Sequence, residues 1–169
     1  MNDTVVIRAP ESKDRPAILA VLRDAFRRDA EAELVEALWR DDAMKVELIA
    51  ENDGVIGYCG FSPVTAEPAL SGELLGLAPL AVANERQGHG VGKALAMKGL
   101  DLCRRRGAAL VVVLGEPEYY GRFGFKPASD HNVVWAAMDA GRAFQLIDFG
   151  GVTGSTPLSI HYHPAFSEV

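Results

Sequence analysis

The sequence contains only two cysteines, Cys59 and Cys103, among 169 residues. One disulfide is arithmetically available, but a small secreted fold held together by disulfides would need more. Both cysteines lie in apolar segments, where thiols are usually inert core side chains. The N-terminus also lacks the basic start and apolar run of a signal peptide. These features predict a protein of the reducing cytoplasm.

Long hydrophobic runs and an excess of basic residues are also absent. No apolar stretch reaches the ~18 residues that a membrane-spanning helix needs. The 17 Lys and Arg residues against 23 Asp and Glu residues give a net charge of −6. A net negative charge argues against nucleic acid and against an anionic membrane surface. We therefore expect neither a nucleic-acid partner nor a membrane partner.

What the sequence does contain is the pattern of one α/β domain spanning residues 1–169, without repeats or linkers. Two amphipathic segments between residues 15 and 40 predict helices, and Asn52-Asp53-Gly54 predicts a β-hairpin turn between two strands. A strand over residues 74–83 contains Pro79, which predicts a bulge or an unpaired edge. A helix to about Arg106, a buried strand over 108–115, a short helix and two or three more strands follow.

The stretch "NERQGHGVGKAL", residues 84–95, places Gly88, Gly90 and Gly92 at alternate positions where a strand gives way to a helix. Glycines at a helix start reduce stability, so their presence favours a purpose other than helix formation. Backbone N–H groups at a helix N-terminus bind anions, and missing Cβ atoms let a phosphate approach them. The stretch therefore predicts a phosphate-binding turn.

Three phosphate-binding patterns can be compared with this turn. The P-loop pattern fails, because three residues separate Gly88 from Gly92 and Ala94 follows Lys93 where Ser or Thr is required. A Rossmann variant fits in part, with Glu116 about 20 residues further on, but no first βαβ unit precedes the glycines. The third pattern, Gln/Arg-x-x-Gly-x-Gly/Ala, matches residues 87–92 in full.

This third pattern, together with Tyr120-Gly121-Arg122-Phe123-Gly124-Phe125, resembles the Gcn5-related N-acetyltransferase (GNAT) family. One helix and one strand separate the two motifs, as in that family, and the likeness extends over nearly the whole chain. "LAPLAV" and "GEPEYYGRFGF" resemble a bacterial GNAT subgroup whose members mostly lack an assigned substrate. The resemblance implies a mixed, splayed central sheet of about six or seven strands with helices on both faces.

The resemblance also implies a function: transfer of an acetyl group from acetyl-CoA to a primary amine, without a metal. In the family the glycine turn binds the pyrophosphate of CoA, and the preceding strand pairs with the pantetheine arm. The residues implied to bind the cofactor are Leu80, Ala81, Val82, Gln87, Gly88, His89, Gly90, Val91, Gly92, Lys93 and Tyr120. A binding protein that senses acyl-CoA, or acts only with a partner, is the alternative.

Tyr120 is the predicted general acid, because a phenol beside the sulfur can protonate the departing thiolate. Its neighbour Tyr119 is expected to pack or to line the acceptor site. The amine must lose a proton before it attacks. Glu116, at the end of the buried strand, is the predicted general base with a raised pKa, and Glu73 is the alternative.

The sequence alone does not decide the roles of several other residues. His161 and His163 share one side of a predicted strand and could bind a metal, although a half-exposed strand face is the simpler interpretation. The acidic residues Asp29, Glu31 and Glu33 could attract a cationic substrate or favour a helix N-terminus. Phe61, Trp39 and Trp135 could be core residues or walls of the acceptor pocket. An exposed C-terminal strand could pair between the subunits of a homodimer.

Overall fold

Nine strands and four α-helices make up the computed structural model, which describes residues 4–167. The helices are α1 (Arg15–Phe26), α2 (Ala30–Arg40), α3 (Val91–Arg105) and α4 (Pro117–Gly121). The strands are β1 (Val6–Arg8), β2 (Val46–Glu51), β3 (Val55–Glu67), β4 (Glu73–Val82), β5 (Ala108–Leu114), β6 (Lys126–Pro127), β7 (Val133–Trp135), β8 (Phe144–Asp148) and β9 (Leu158–Tyr162).

Seven strands form the central sheet in the order β1-β2-β3-β4-β5-β8-β6. The number of strands agrees with the six or seven that the family resemblance implies. Its pairs are antiparallel except β4 with β5, which run parallel. The hairpin turn at residues 52–54 joins β2 to β3, with Gly54 at φ +102°. Such a φ is open to glycine at little cost, which explains the turn's composition. The fold class is confirmed.

The sheet splays between β4 and β5. Their pairing runs from Glu73 with Ala108 to Gly76 with Val112 and then stops, although both strands continue. Along its other edge, β4 changes register against β3 between the pairs Leu77–Phe61 and Leu80–Cys59. Ala78 and Pro79 therefore form the predicted bulge, where a missing N–H costs no ladder hydrogen bond.

Helices cover both faces of the sheet, again as predicted. On one face α3 packs against β2, β3 and β5, and both cysteines lie buried there as free thiols. Burial raises the pKa of the Cys59 thiol. Burial is also the main reason why the pKa of the Cys103 thiol is raised, to about 12. On the other face α1 and α2 pack against Ile49, Tyr58 and Ala81. The cysteines are therefore core residues.

The C-terminal strand is not the free edge that the sequence analysis expects. β9 pairs antiparallel with the second half of β3, through residues 64–67, and parallel with β7. Both of its edges are thus occupied within the same chain. Sequence patterns predict strands one at a time and do not reveal which strands pair, so these two partners of β9 could not be foreseen. A dimer formed by pairing along β9 is excluded by this arrangement.

Candidate functional site

The glycine turn leads from the end of β4 into the first turn of α3. Gly88 and Gly90 have φ of +81° and +84°, values that L side chains rarely adopt. Gly90 is the N-cap of α3, and its carbonyl accepts the hydrogen bond of the Ala94 N–H at 3.0 Å. The N–H groups of the first helical turn have no acceptor inside the helix. The turn therefore presents backbone donors at the positive end of a helix dipole.

Gly92 serves a different purpose from the other two glycines. It lies inside the first turn of α3, and a Cβ there would stand 2.6 Å from the hydroxyl oxygen of Tyr119. Gly88 and Gly90, in contrast, have open space where a Cβ would lie. The missing side chain at Gly92 thus admits the Tyr119 ring.

The Gln87 side chain fastens the turn to the strand before it. Its amide nitrogen donates to the backbone carbonyl of Val82 at 2.9 Å and to the Asn84 side-chain oxygen at 3.2 Å. These contacts use the donors that the sequence analysis assigns to a phosphate. Gln87 is accordingly placed as a support for the turn.

Three cations surround the turn, although the chain as a whole is acidic. Arg86 and Lys93 belong to the motif, while Arg122 comes from the residue after α4. The Arg122 guanidinium lies over the Tyr119 ring at 4.9 Å from its centroid. The sequence analysis missed Arg122, although it stands inside the quoted Tyr-x-x-x-Gly-Phe motif.

These groups enclose a cleft of about 460 Å³, here called the turn cleft. Its walls are Leu80, Val82, Arg86, Gln87, Gly88, Gly90, Val91, Gly92, Lys93, Tyr119, Tyr120 and Arg122. The backbone donors, the cations and the end of β4 thus converge on one space. An anionic group attached to an extended chain fits this combination.

A second, larger cleft of about 720 Å³, here called the apolar cleft, opens on the other side of Leu80 and Tyr120. The ends of β4 and β5 meet elements from both termini there. Its apolar side chains are Phe26, Leu34, Leu77, Pro79, Leu80, Leu114, Trp135, Tyr162 and Phe166, and its polar ones include Arg28, Glu31, His161 and Ser167. Trp135, whose role the sequence left open, therefore lines the apolar cleft.

Tyr120 stands where the two clefts meet, since it lines both. Its ring packs edge-on against Tyr119, Phe123 and Phe125, with centroids 5.0, 6.1 and 5.9 Å away. Burial raises the pKa of Tyr120 well above its ordinary value, so the phenol keeps its proton at neutral pH. A protonated phenol side chain therefore stands at the junction of the two clefts.

Comparison with known proteins identifies this arrangement. The sequence model of the Acetyltransferase (GNAT) family matches residues 15–125. Uncharacterized N-acetyltransferase YhbS of Escherichia coli K12 is 40% identical over 173 residues, covering 96% of this chain and 99% of that protein. The chain belongs to the GNAT family. It is a GNAT-type N-acetyltransferase.

Solved GNAT structures agree with the fold. Escherichia coli YhbS in complex with CoA has a TM-score of 0.85 and 37% identity, covering 99% of this chain and 96% of that one. A GNAT family acetyltransferase from Brucella melitensis in complex with acetyl-CoA has a TM-score of 0.82 and 34% identity, covering 98% of this chain and 99% of that one. Both relatives hold the cofactor or its acetylated form.

Three of the predicted GNAT site residues stand apart from both clefts. Ala81 is buried against α1, and His89 is exposed at the tip of the turn. Glu116 is the N-cap of α4, where its carbonyl accepts the Tyr120 N–H at 3.0 Å. None of the three lines either cleft. Any proton transfer by Glu116 would therefore require a water molecule between it and the amine.

The prediction of Glu73 as the alternative general base was wrong, because Glu73 does not lie at this GNAT site. It begins β4, whereas both clefts lie at the far end of that strand. Its carboxylate accepts hydrogen bonds from Arg106 Nε at 2.7 Å and Nη2 at 2.9 Å. Glu73 is therefore a structural partner of the residue that follows α3.

The two histidines near the C-terminus have separate partners. His161 lines the apolar cleft with its Nε2 3.4 Å from Glu67, while His163 Nε2 lies 3.5 Å from Asp41. Within residues 4–167 no group of three His, Cys, Asp or Glu side chains is placed to hold a metal ion. Over the same range, no helix has both the length and the hydropathy to cross a membrane.

The remaining acidic and aromatic candidates divide between the cleft and the core. Glu31 lines the apolar cleft, whereas Asp29 pairs with Arg23 at 3.1 Å and Glu33 is exposed. Phe61 is fully buried, and Trp39 donates from its indole nitrogen to Glu47 at 2.8 Å. Of this group, only Glu31 and Trp135 line the apolar cleft.

Proposed function

We propose that this chain transfers an acetyl group from acetyl-CoA to a primary amine by direct attack, with Tyr120 as the general acid. The observation that carries the proposal is the position of Tyr120, which lines both clefts beside Leu80. A donor in the turn cleft and an acceptor in the apolar cleft would meet at its hydroxyl.

The turn cleft suits the donor. The pyrophosphate of CoA would accept hydrogen bonds from the backbone N–H groups around Gly88 and Gly90, with Arg86, Lys93 and Arg122 supplying positive charge. The pantetheine arm would run along Leu80, Ala81 and Val82, where β4 no longer pairs with β5. The CoA and acetyl-CoA complexes of the two relatives support this choice of donor.

The chemistry then follows from the groups at the junction. The neutral amine attacks the thioester carbonyl and forms a tetrahedral intermediate, and its collapse breaks the carbon–sulfur bond. Tyr120 gives its proton to the departing thiolate, since a phenol is protonated at neutral pH. No covalent enzyme intermediate is needed.

A base must accept the proton that the amine loses. Glu116 remains our proposed base, acting through water because its side chain lies outside the clefts. His161 is the competing candidate, because it lines the apolar cleft and has Glu67 beside it. Glu116→Gln and His161→Gln, compared across pH, separate the two candidates, since only loss of the true base removes the acidic limb of the rate profile.

The decisive experiment measures thiol release from acetyl-CoA in the presence of an amine panel, with Tyr120→Phe beside wild type. The variant keeps the ring packing and loses only the hydroxyl, so kcat is expected to fall about 10²- to 10⁴-fold with little change in acetyl-CoA affinity. Tyr119→Phe is the matched control, because it removes a neighbouring hydroxyl from the turn cleft alone.

The same experiment tests the rival function, an acyl-CoA sensor. Calorimetry that shows acetyl-CoA binding, combined with no thiol release for any amine, would support the sensor and refute the transferase. Unchanged turnover in Tyr120→Phe would instead remove Tyr120 from the acid role.

A further inference from the structure

We infer that the acceptor is a singly charged primary amine carried on an apolar body of about the size of an aromatic ring system. This inference rests on the proposed function and names the substrate class of the apolar cleft. It is carried by the shape, the wall composition and the charge balance of that cleft.

The walls of the apolar cleft are large and well anchored. Tyr162 packs against Trp135 with ring centroids 6.2 Å apart and against Phe166 at 5.0 Å. Trp135 in turn stacks on Phe144 at 6.5 Å, and Phe144 is buried. A volume of about 720 Å³ is in the range of small-molecule sites. Such walls stabilise a ligand chiefly through the burial of its apolar surface.

The charge in the cleft is already balanced. Glu31 is the only carboxylate among its lining residues within the described chain. Its side chain is only 13% exposed, and Arg28 Nε donates to its two oxygens at 2.9 and 3.2 Å. The pair leaves little net negative charge to attract a ligand. One ammonium group can approach this pair and lose its proton, but a second would find no further carboxylate among the described lining residues.

A polyamine or an aminoglycoside therefore fits the cleft poorly, because each carries several ammonium groups. Removing Arg28 would free the Glu31 carboxylate and raise the affinity of the cleft for such polycations. Arg27 is the matched control: it is the adjacent arginine, it is exposed, and it does not line the cleft.

The test uses the full-length protein and four probes: 2-phenylethylamine, spermidine, a short lysine peptide, and octanoyl-CoA as an alternative donor. Thiol release gives kcat/KM for each amine, and calorimetry gives amine binding to the protein–CoA complex independently of turnover. We expect kcat/KM for 2-phenylethylamine to exceed that for spermidine by about ten- to a hundredfold. Arg28→Gln should raise spermidine kcat/KM about two- to fivefold, and Arg27→Gln should not.

Failure of this inference is distinct from failure of the proposed function. If 2-phenylethylamine binds more tightly than spermidine but no amine releases thiol, the ligand preference of the apolar cleft stands and the transferase proposal fails. If spermidine or the lysine peptide is the better acceptor, the transferase stands and the acceptor class is overturned. Preference for octanoyl-CoA over acetyl-CoA would also overturn it, because the apolar cleft would then hold an acyl chain. Absence of binding by 2-phenylethylamine overturns it as well.

Discussion

Replacing Gly90 with alanine tests the most specific claim about this site, that backbone geometry in the glycine turn binds the donor. Gly90 has φ +84°, and an added Cβ would meet no heavy atom of the protein within 4 Å. The substitution therefore lowers the stability of the protein only through the strain in the backbone, and not through a steric clash. A left-handed residue other than glycine costs about 1–2 kcal/mol. For a chain of this size, that cost lowers Tm by about 2–8 °C.

The chain supplies a closely matched control at the other end of the same helix. Gly107 follows α3 with φ +86°, and a Cβ there would also meet no heavy atom within 4 Å. Gly107→Ala should therefore cost the same 1–2 kcal/mol of stability as Gly90→Ala. It differs in one respect, because Gly107 lies at the opposite end of α3 from the turn cleft.

The two variants should differ in their affinity for CoA. Relief of strain in Gly90→Ala would turn the amides of the helix start away from the pyrophosphate. Loss of one hydrogen bond to a charged group costs about 1.5–3 kcal/mol, equivalent to about 10- to 150-fold in Kd. Calorimetric titration with CoA and thermal denaturation measure the two effects. Equal CoA affinity in the two variants, at equal loss of Tm, would refute the role of the turn.

Three further predictions concern parts of the molecule away from the turn. Gly99→Ala would place a Cβ 2.5 Å from Phe61 Cε2; overpacking should cost about 1–3 kcal/mol in urea denaturation with CoA affinity unchanged. Asp14→Asn should lower stability at pH 7, and the difference should shrink as pH falls from about 4 towards 2. Arg8 donates to this carboxylate and lowers its pKa from 3.8 to about 2, so its ionised form stabilises the fold only above that range. Both cysteines should react with a thiol reagent slowly in the native protein and fully in denaturant, because burial raises the pKa of each.

Local chemistry made the turn predictable from sequence. Gly88 and Gly90 before a predicted helix indicate a turn, and both residues adopt a positive φ there. Pro79 indicates an interrupted ladder, and the bulge lies there. Each of these signals depends on one residue's own backbone limits, so no tertiary information is needed to interpret it.

The features that the sequence did not reveal have a common physical origin in tertiary placement. Gly92 faces Tyr119, which arrives with α4 more than 20 positions later, so its packing role has no local signature. The apolar cleft draws its walls from both ends of the chain, from Phe26 to Phe166, and no sequence window contains them together. Glu73 was misplaced for a simpler reason: its position at the start of β4 puts a strand length between it and the site.

The splay of the sheet links these observations into one arrangement. β4 and β5 pair over their first halves only, so their second halves separate. The separated part of β4 gives Leu80 and Val82 to the turn cleft and Leu77 to the apolar cleft, while Leu114 at the end of β5 lines the apolar cleft. The segment after β5 must then turn back across the gap, and that turn carries Tyr120. A sheet that stayed paired to the end of both strands would close this gap and separate Tyr120 from one of the two clefts.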